Sequence, residues 1–179
     1  MVDARGIPVT VPASVGTGGW SGDYAELGVR TNFSFLEGAS HPAELVEQAK
    51  VLGLAAIGVA DVNTLAGVVR ALMAAETQHL RLLIGCRLVF TDGTGLIVFP
   101  RDRAAYGRLC RLLSLGKSEI VSPQTPDDEE GARIIKGETR LTFDQACDLG
   151  AGMIALAVAP DRPDATFEAR LARWRRAWP

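Results

Sequence analysis

Apolar residues along the chain gather into short blocks whose spacing switches between a strand-like and a helix-like period. Over 24–31, Tyr24, Leu27 and Val29 sit among polar neighbours, and Thr31 and Phe33 favour extended backbone, which predicts a first strand. Ser34, Glu37, Gly38 and Ser40 break that pattern as a loop. A helix is expected over 42–52. Pro42 suits its first position, Glu44 can reach back as in a capping box, and Leu45, Val46, Ala49 and Leu52 share a face. Residues 54–60 are almost wholly apolar, as in a parallel strand covered on both faces. That run ends at Asp61, a carboxylate placed either to enter a cleft or to cap the next helix.

The second helix is expected over 65–78, with Asn63 or Thr64 as its cap and Leu65, Val68, Val69, Leu72 and Met73 on its inner face. A strand over 82–90, a turn over 91–95 and a return over 96–99 read as a hairpin or as neighbouring strands. A helix over 103–115 turns Tyr106, Leu109, Leu112 and Leu113 inward. Residues 118–138 are polar, carry the acidic run Asp127-Asp128-Glu129-Glu130, and read as an exposed loop. Thr142 is placed to cap a short helix that ends near residue 150. A fourth strand of the buried type covers 153–159. An amphipathic helix over 166–178 carries Phe167, Leu171, Trp174 and Trp178 on one stripe. The organisation expected is a flexible leader over 1–22, a domain over 23–160 and a C-terminal amphipathic helix over 161–179. Alternating strands and helices imply an α/β fold with a mainly parallel sheet, either an open doubly wound sheet or a small (β/α) barrel.

Composition narrows this little. A chain of 179 residues, 47% hydrophobic, is long enough for one domain with a sizeable core. Its net charge of −2 gives no global signal for nucleic acid or membranes, so any such contact needs a local patch. Arg101, Arg103, Arg108, Arg111 and Lys117 make one such segment, read either as a solvated helix face or as a phosphate-contacting one. Cys86, Cys110 and Cys147 are far apart, which suits a reducing cytosol and small buried side chains better than metal ligation. No apolar run approaches a membrane span, and the start has no signal-peptide core.

Candidate chemistry is sparse. The phosphate-cradling glycine motifs and the serine-hydrolase elbow are absent. The two histidines, His41 and His79, sit at helix ends. Carboxylates at expected strand ends are Glu26, Asp61 and Asp92, a poor metal set unless folding brings them together.

The run YAELGVRTNFSFLEGASHPAELVEQAKVLGLAAIGVADVNTLAGVVRA, with LLIGCRLVF and DRAAYGRLCRLLSLGK after it, resembles the start of bacterial error-prone DNA polymerases of the polymerase III alpha-subunit class. The similar region is their N-terminal PHP domain, and the likeness spans residues 24–159. It implies a metal-hydrolase-like, distorted (β/α) barrel, left incomplete if the chain stops short of the domain's end. It also implies a parent activity of DNA-templated DNA synthesis in lesion bypass and damage-induced mutagenesis. The implied setting is cytoplasmic. The implied partners are the rest of the polymerase, other mutagenesis proteins and DNA, with no membrane. Metal-binding PHP domains carry an H-x-H pair on the first strand, where this chain has Gly28 and Arg30. Their Asp-His pair after the second strand is matched by Asp61-Val62, and a Glu after the third strand's G-C by Arg87. The remnant cleft would comprise Glu26, Gly28, Arg30, Asp61, Asn63 and Arg87, with Asp61 paired to Arg30 or Arg87. No metal is expected on this chain, and the parent's Mg would be held by polymerase regions beyond it. The expectation is a degenerate PHP scaffold. Its alternatives are a residual phosphoesterase or nuclease using Asp61 and Glu26, and an interaction module using Arg101, Arg103, Arg108 and Arg111.

Overall fold

The structure, a computed structural model, describes residues 24–118 and 138–179. The expected leader, the acidic run and nearly all of the expected loop over 118–138 lie outside the described residues. The elements run β1 (Ala25–Val29), α1 (Pro42–Val51), β2 (Ala56–Val62), α2 (Val68–Gln78), β3 (Arg81–Val89), β4 (Gly95–Pro100), α3 (Arg103–Ser118), α4 (Phe143–Leu149), β5 (Met153–Ala157) and α5 (Ala165–Ala177).

All five strands form one sheet in chain order. Pairing is parallel from β1 to β3 and antiparallel from β3 to β5. The α/β expectation holds, with the parallel part confined to the first three strands and the expected hairpin supplying the reversal. The sheet also curls. A Cβ added at Gly28, on β1, would stand 3.0 Å from Ile97 Cδ1, on β4. In a flat sheet those strands would be about 14 Å apart, beyond the reach of an isoleucine. The result is a half-barrel.

Strand alternation gives the half-barrel two unlike faces. One carries Ile57, Cys86, Leu88, Leu96 and Val98, all buried under helices. There, α1 and α2 cover Ile57 with Val46, Ala49 and Ala75, joined by Leu80 from the α2–β3 connection, while α3, α4 and α5 cover the β3–β4 part. The other face is open. Register places Leu27 beside Gly58, Arg87 beside Ile97, Ile97 beside Leu156, and Phe99 beside Ile154. Phe99 is buried even so, because its ring occupies the space that Gly85 and Gly58 leave. A Cβ at Gly85 would meet that ring at 2.5 Å and one at Gly58 at 3.2 Å.

Three expectations are corrected. The second helix begins at Val68, and Gly67, not Asn63 or Thr64, is its N-cap, with no side-chain bond. Its inner stripe is Val68, Ala71 and Ala75, leaving Val69 and Met73 66% and 65% exposed. Small residues let α2 pack directly on α1, and that contact sets the helix phase rather than the larger side chains. The last strand is not covered on both faces: β5 is an edge strand with Ile154 53% exposed. The final helix covers its start. Trp174 stacks on Phe143 with ring centroids 5.4 Å apart, and the Trp178 indole N–H donates to Met153 O at 3.2 Å. Thr142 caps α4 as expected, its hydroxyl accepting from Gln145 N at 3.2 Å.

Candidate functional site

The C-terminal ends of β1 and β2 meet around Asp61, whose side chain is 2% exposed. Asp61 pairs in register with Cys86, a member of the helix-covered core, so its carboxylate points toward the helix layer. Val62 pairs with Arg87, and both belong to the open face. Adjacent residues on a strand face opposite ways, so the Asp61 carboxylate and the Val62 side chain are on opposite sides of the sheet.

Asp61 has no cation partner among the described residues, which corrects the expected pairing with Arg30 or Arg87. It accepts from Thr31 N at 2.7 Å, Thr31 Oγ1–H at 2.8 Å and Ser34 Oγ–H at 2.6 Å. Both hydroxyls pass the network on. Thr31 Oγ1 accepts from Phe33 N at 3.1 Å, and Ser34 Oγ accepts from Val62 N at 3.0 Å. The carboxylate also lies against the start of α2, since a Cβ at Gly67 would come within 2.9 Å of its Oδ2. Hydrogen bonds to the charged form and the positive end of a helix stabilise a buried carboxylate. Asp61 thus anchors the β1–α1 loop.

The other expected site residues separate. Gly28 occupies a bulge, where the β1–β2 register slips between Leu27 and Val29, and its φ of +88° suits glycine. Arg30 forms an ion pair with Glu37 in the same loop. Asn63 has left-handed backbone and extends the β2–β3 ladder: its Oδ1 accepts from Val89 N at 3.0 Å. Its own N–H donates to Arg87 O at 2.9 Å. Glu26 is at the opposite end of β1 from Asp61 and accepts from the Tyr24 hydroxyl at 2.7 Å. Arg87 lines a small cavity, about 250 Å³, with Arg170 and the β3–β4 turn. Asp92 serves that turn by accepting from Thr94 Oγ1–H at 2.6 Å, which together with Arg170 holds its carboxyl below the usual range.

This donor set does not suit a divalent cation. Gly28 offers no side chain, Val62 is apolar, and Arg30 and Arg87 are fixed positive charges. Among the described residues, no three His, Cys, Asp or Glu side chains gather into a group that could hold a metal. Sequence reasoning missed Thr31, Ser34 and Gly67. A buried Asp one strand from a Thr-x-x-Ser loop was the available signal.

The arginine set also divides. Arg108 Nε donates to Ala151 O at 2.9 Å and ties α3 to the turn before β5. Arg101 and Arg103 line a groove together with Arg81, which the sequence reading did not include. Arg111 is exposed on α3 outside that groove. No helix among the described residues is long and apolar enough to cross a membrane.

Comparison with known proteins agrees with this fold. Similar solved structures include a protein described as a metal-dependent phosphoesterase from Bifidobacterium adolescentis, with a TM-score of 0.59 and 18% identity over 88% of this chain and 79% of that one. An amidohydrolase from Chromobacterium violaceum with bound sulfate and no metal gives 0.57 and 16% over 86% and 74%. These identities speak for the fold alone. In sequence, the chain is 51% identical over 150 residues to "Error-prone DNA polymerase 2" of Agrobacterium fabrum, covering 84% of this chain and 12% of that protein. It is 65% identical over 125 residues to an error-prone DNA polymerase of Rhodopseudomonas palustris, covering 67% and 10%. The chain therefore spans about a tenth to an eighth of the length of such relatives. The PHP domain family model matches residues 26–178, most of the chain, so the chain belongs to the PHP domain family.

Proposed function

We propose that this chain acts as a metal-free PHP scaffold of an error-prone DNA polymerase, one that supports the polymerase body without hydrolytic chemistry of its own. One observation carries the reading. Where metal-binding relatives would present donors, Gly28, Arg30, Val62 and Arg87 present none, and the remaining Asp61 faces the helix layer inside a closed hydrogen-bond network. The core that shapes the half-barrel is kept while its ligand positions are replaced. In this reading the open face is the natural bed for further polypeptide of the polymerase, the cytoplasm is its compartment, and DNA-templated synthesis in lesion bypass is the parent activity. DNA and other mutagenesis proteins then engage through the parent, and its Mg belongs to regions outside this chain.

The test is metal content and hydrolysis measured together. Purified chain stripped with chelator and dialysed against Zn²⁺ or Mn²⁺ should retain well below one equivalent by mass spectrometry. It should not hydrolyse p-nitrophenyl phosphate or single-stranded DNA. One or more bound equivalents, with hydrolysis abolished by Asp61→Asn at unchanged fold, would establish the residual phosphoesterase instead.

A further inference from the structure

The second end of the sheet holds a feature that the scaffold reading does not use. Pairing of β3 with β4 runs only from Val89/Gly95 to Cys86/Val98. Yet β2 follows β3 back to Arg81, and β5 follows β4 out to Pro100. The two central strands therefore part, and a groove of about 410 Å³ opens between the first turns of β3 and the β4–α3 junction. Three arginines from three places line it: Arg81 at the start of β3, Arg101 after β4 and Arg103 at the start of α3. All three are exposed. The one carboxylate in the lining, Asp102, is occupied at the helix start, where its Oδ1 accepts from Ala105 N at 2.7 Å. Tyr106, half-buried, gives the groove an aromatic wall beside Pro100.

On a chain of net charge −2, three guanidiniums against one engaged carboxylate make a local cationic site. Their backbone is fixed: Arg101 N donates to Gly152 O at 3.0 Å, and α3 is tied down by Arg108 on Ala151 O. Every cation here is an arginine. A guanidinium binds phosphate through a planar fork and stacks on flat rings, which a compact ammonium does not do. A groove that joins such forks to an aromatic wall matches a ligand with repeated phosphates and flat bases. An acidic peptide offers the charges but no ring for Tyr106.

We propose that this groove binds single-stranded nucleic acid, with Arg81, Arg101 and Arg103 on neighbouring phosphates and the Tyr106 ring against a base. The site lies at the end of the sheet away from Asp61 and needs no metal.

Fluorescence anisotropy of a labelled oligothymidylate with the full 179-residue chain tests it. Three phosphate contacts predict a log–log salt slope of about −2 between roughly 50 and 200 mM salt. The triple variant Arg81→Glu/Arg101→Glu/Arg103→Glu should bind at least about tenfold more weakly and flatten that slope. Tyr106→Leu should weaken binding with the slope unchanged, and Arg176→Glu, on α5, should change affinity less than about twofold. Thermal melting checks the fold of each, and the corresponding triple glutamine variant replaces the charge reversal if that chain does not fold. Three results overturn the proposal: no binding at the lowest salt, equal binding by the wild type and the folded triple variant, or a glutamate-rich peptide that binds as tightly as the oligonucleotide and displaces it.

Discussion

The two faces of the half-barrel handle polarity in opposite ways. On the helix-covered face, among the described residues, one carboxyl side chain, Asp61, is buried and surrounded by hydrogen-bond donors. On the open face Arg87 pairs in register with Ile97, and apolar side chains elsewhere on that face remain partly wet, with Leu27 43% and Leu156 38% exposed. A catalytic cleft would reverse the arrangement, with ligating carboxylates on the open side. In the proposed scaffold reading, Asp61 acts in folding and the open face serves as a surface.

The largest effect expected follows from that assignment. Asp61→Ala removes the acceptor for three donors at once and leaves them buried, at a cost of about 3–5 kcal/mol. Asp61→Asn keeps the shape but aims an NH₂ group at donors, and should cost about half as much. Urea unfolding measures both. A loss under about 1 kcal/mol for the alanine variant would mean the network is not holding the loop, and the contrast between the faces would fail at its centre.

Next in size is the packing of Phe99, among the described residues the large side chain that the open face buries well. Gly85→Ala places a methyl within 2.5 Å of its ring and should cost about 2–3 kcal/mol. In a Phe99→Leu background the same change should cost much less, because the colliding ring is gone. Equal costs in both backgrounds would show that glycine serves the backbone here, not the ring.

A pH effect sharpens the helix-covered side. Burial raises the Cys86 thiol to about 12 from an ordinary 9.0. The unfolded thiol ionises first, so the folded chain keeps a proton that the unfolded chain has released. Stability contributed by Cys86 is therefore complete below about pH 9 and declines as pH rises toward 12. Tyr24, Tyr106 and Cys147 are also shifted upward, so the informative quantity is the difference between wild type and Cys86→Ala across that interval. Parallel pH profiles would contradict the burial argument.

Much of this was legible in the sequence, for identifiable reasons. The apolar run over 54–60 announced a covered strand because both its faces meet protein at β2. Thr142 was readable as a cap because the signal is local. The phase of α2 was not, since Val69, Leu72 and Met73 are larger than Ala71 and Ala75, and only the approach of α1 decides which stripe turns inward. The direction of Asp61 was also hidden. Its strand runs to Val62 rather than stopping at residue 60, and a shift in where a strand ends changes whether a residue fronts a cleft or a helix layer. Arg81 escaped notice because the groove it lines exists only where β3 and β4 part, which no spacing of residues reports.

The smallest effect expected is the one that tests the open face most directly. Ile154 lies on edge strand β5 opposite Phe99 and is already half exposed, so Ile154→Lys should change the stability of this chain by no more than about 0.5 kcal/mol. A truncation on the covered face, Leu88→Ala, should cost about 2–5 kcal/mol by the same measurement, because Leu88 is completely buried in the β3–α3 core. The comparison then moves to a longer polypeptide. If the open face is a bed for the polymerase body, Ile154→Lys placed in one of the full-length relatives must bring a charge into an apolar contact and should lower its melting temperature by several degrees. Equal tolerance in the short and long chains would leave the open face in water in both. The scaffold would then have to meet the polymerase through another surface.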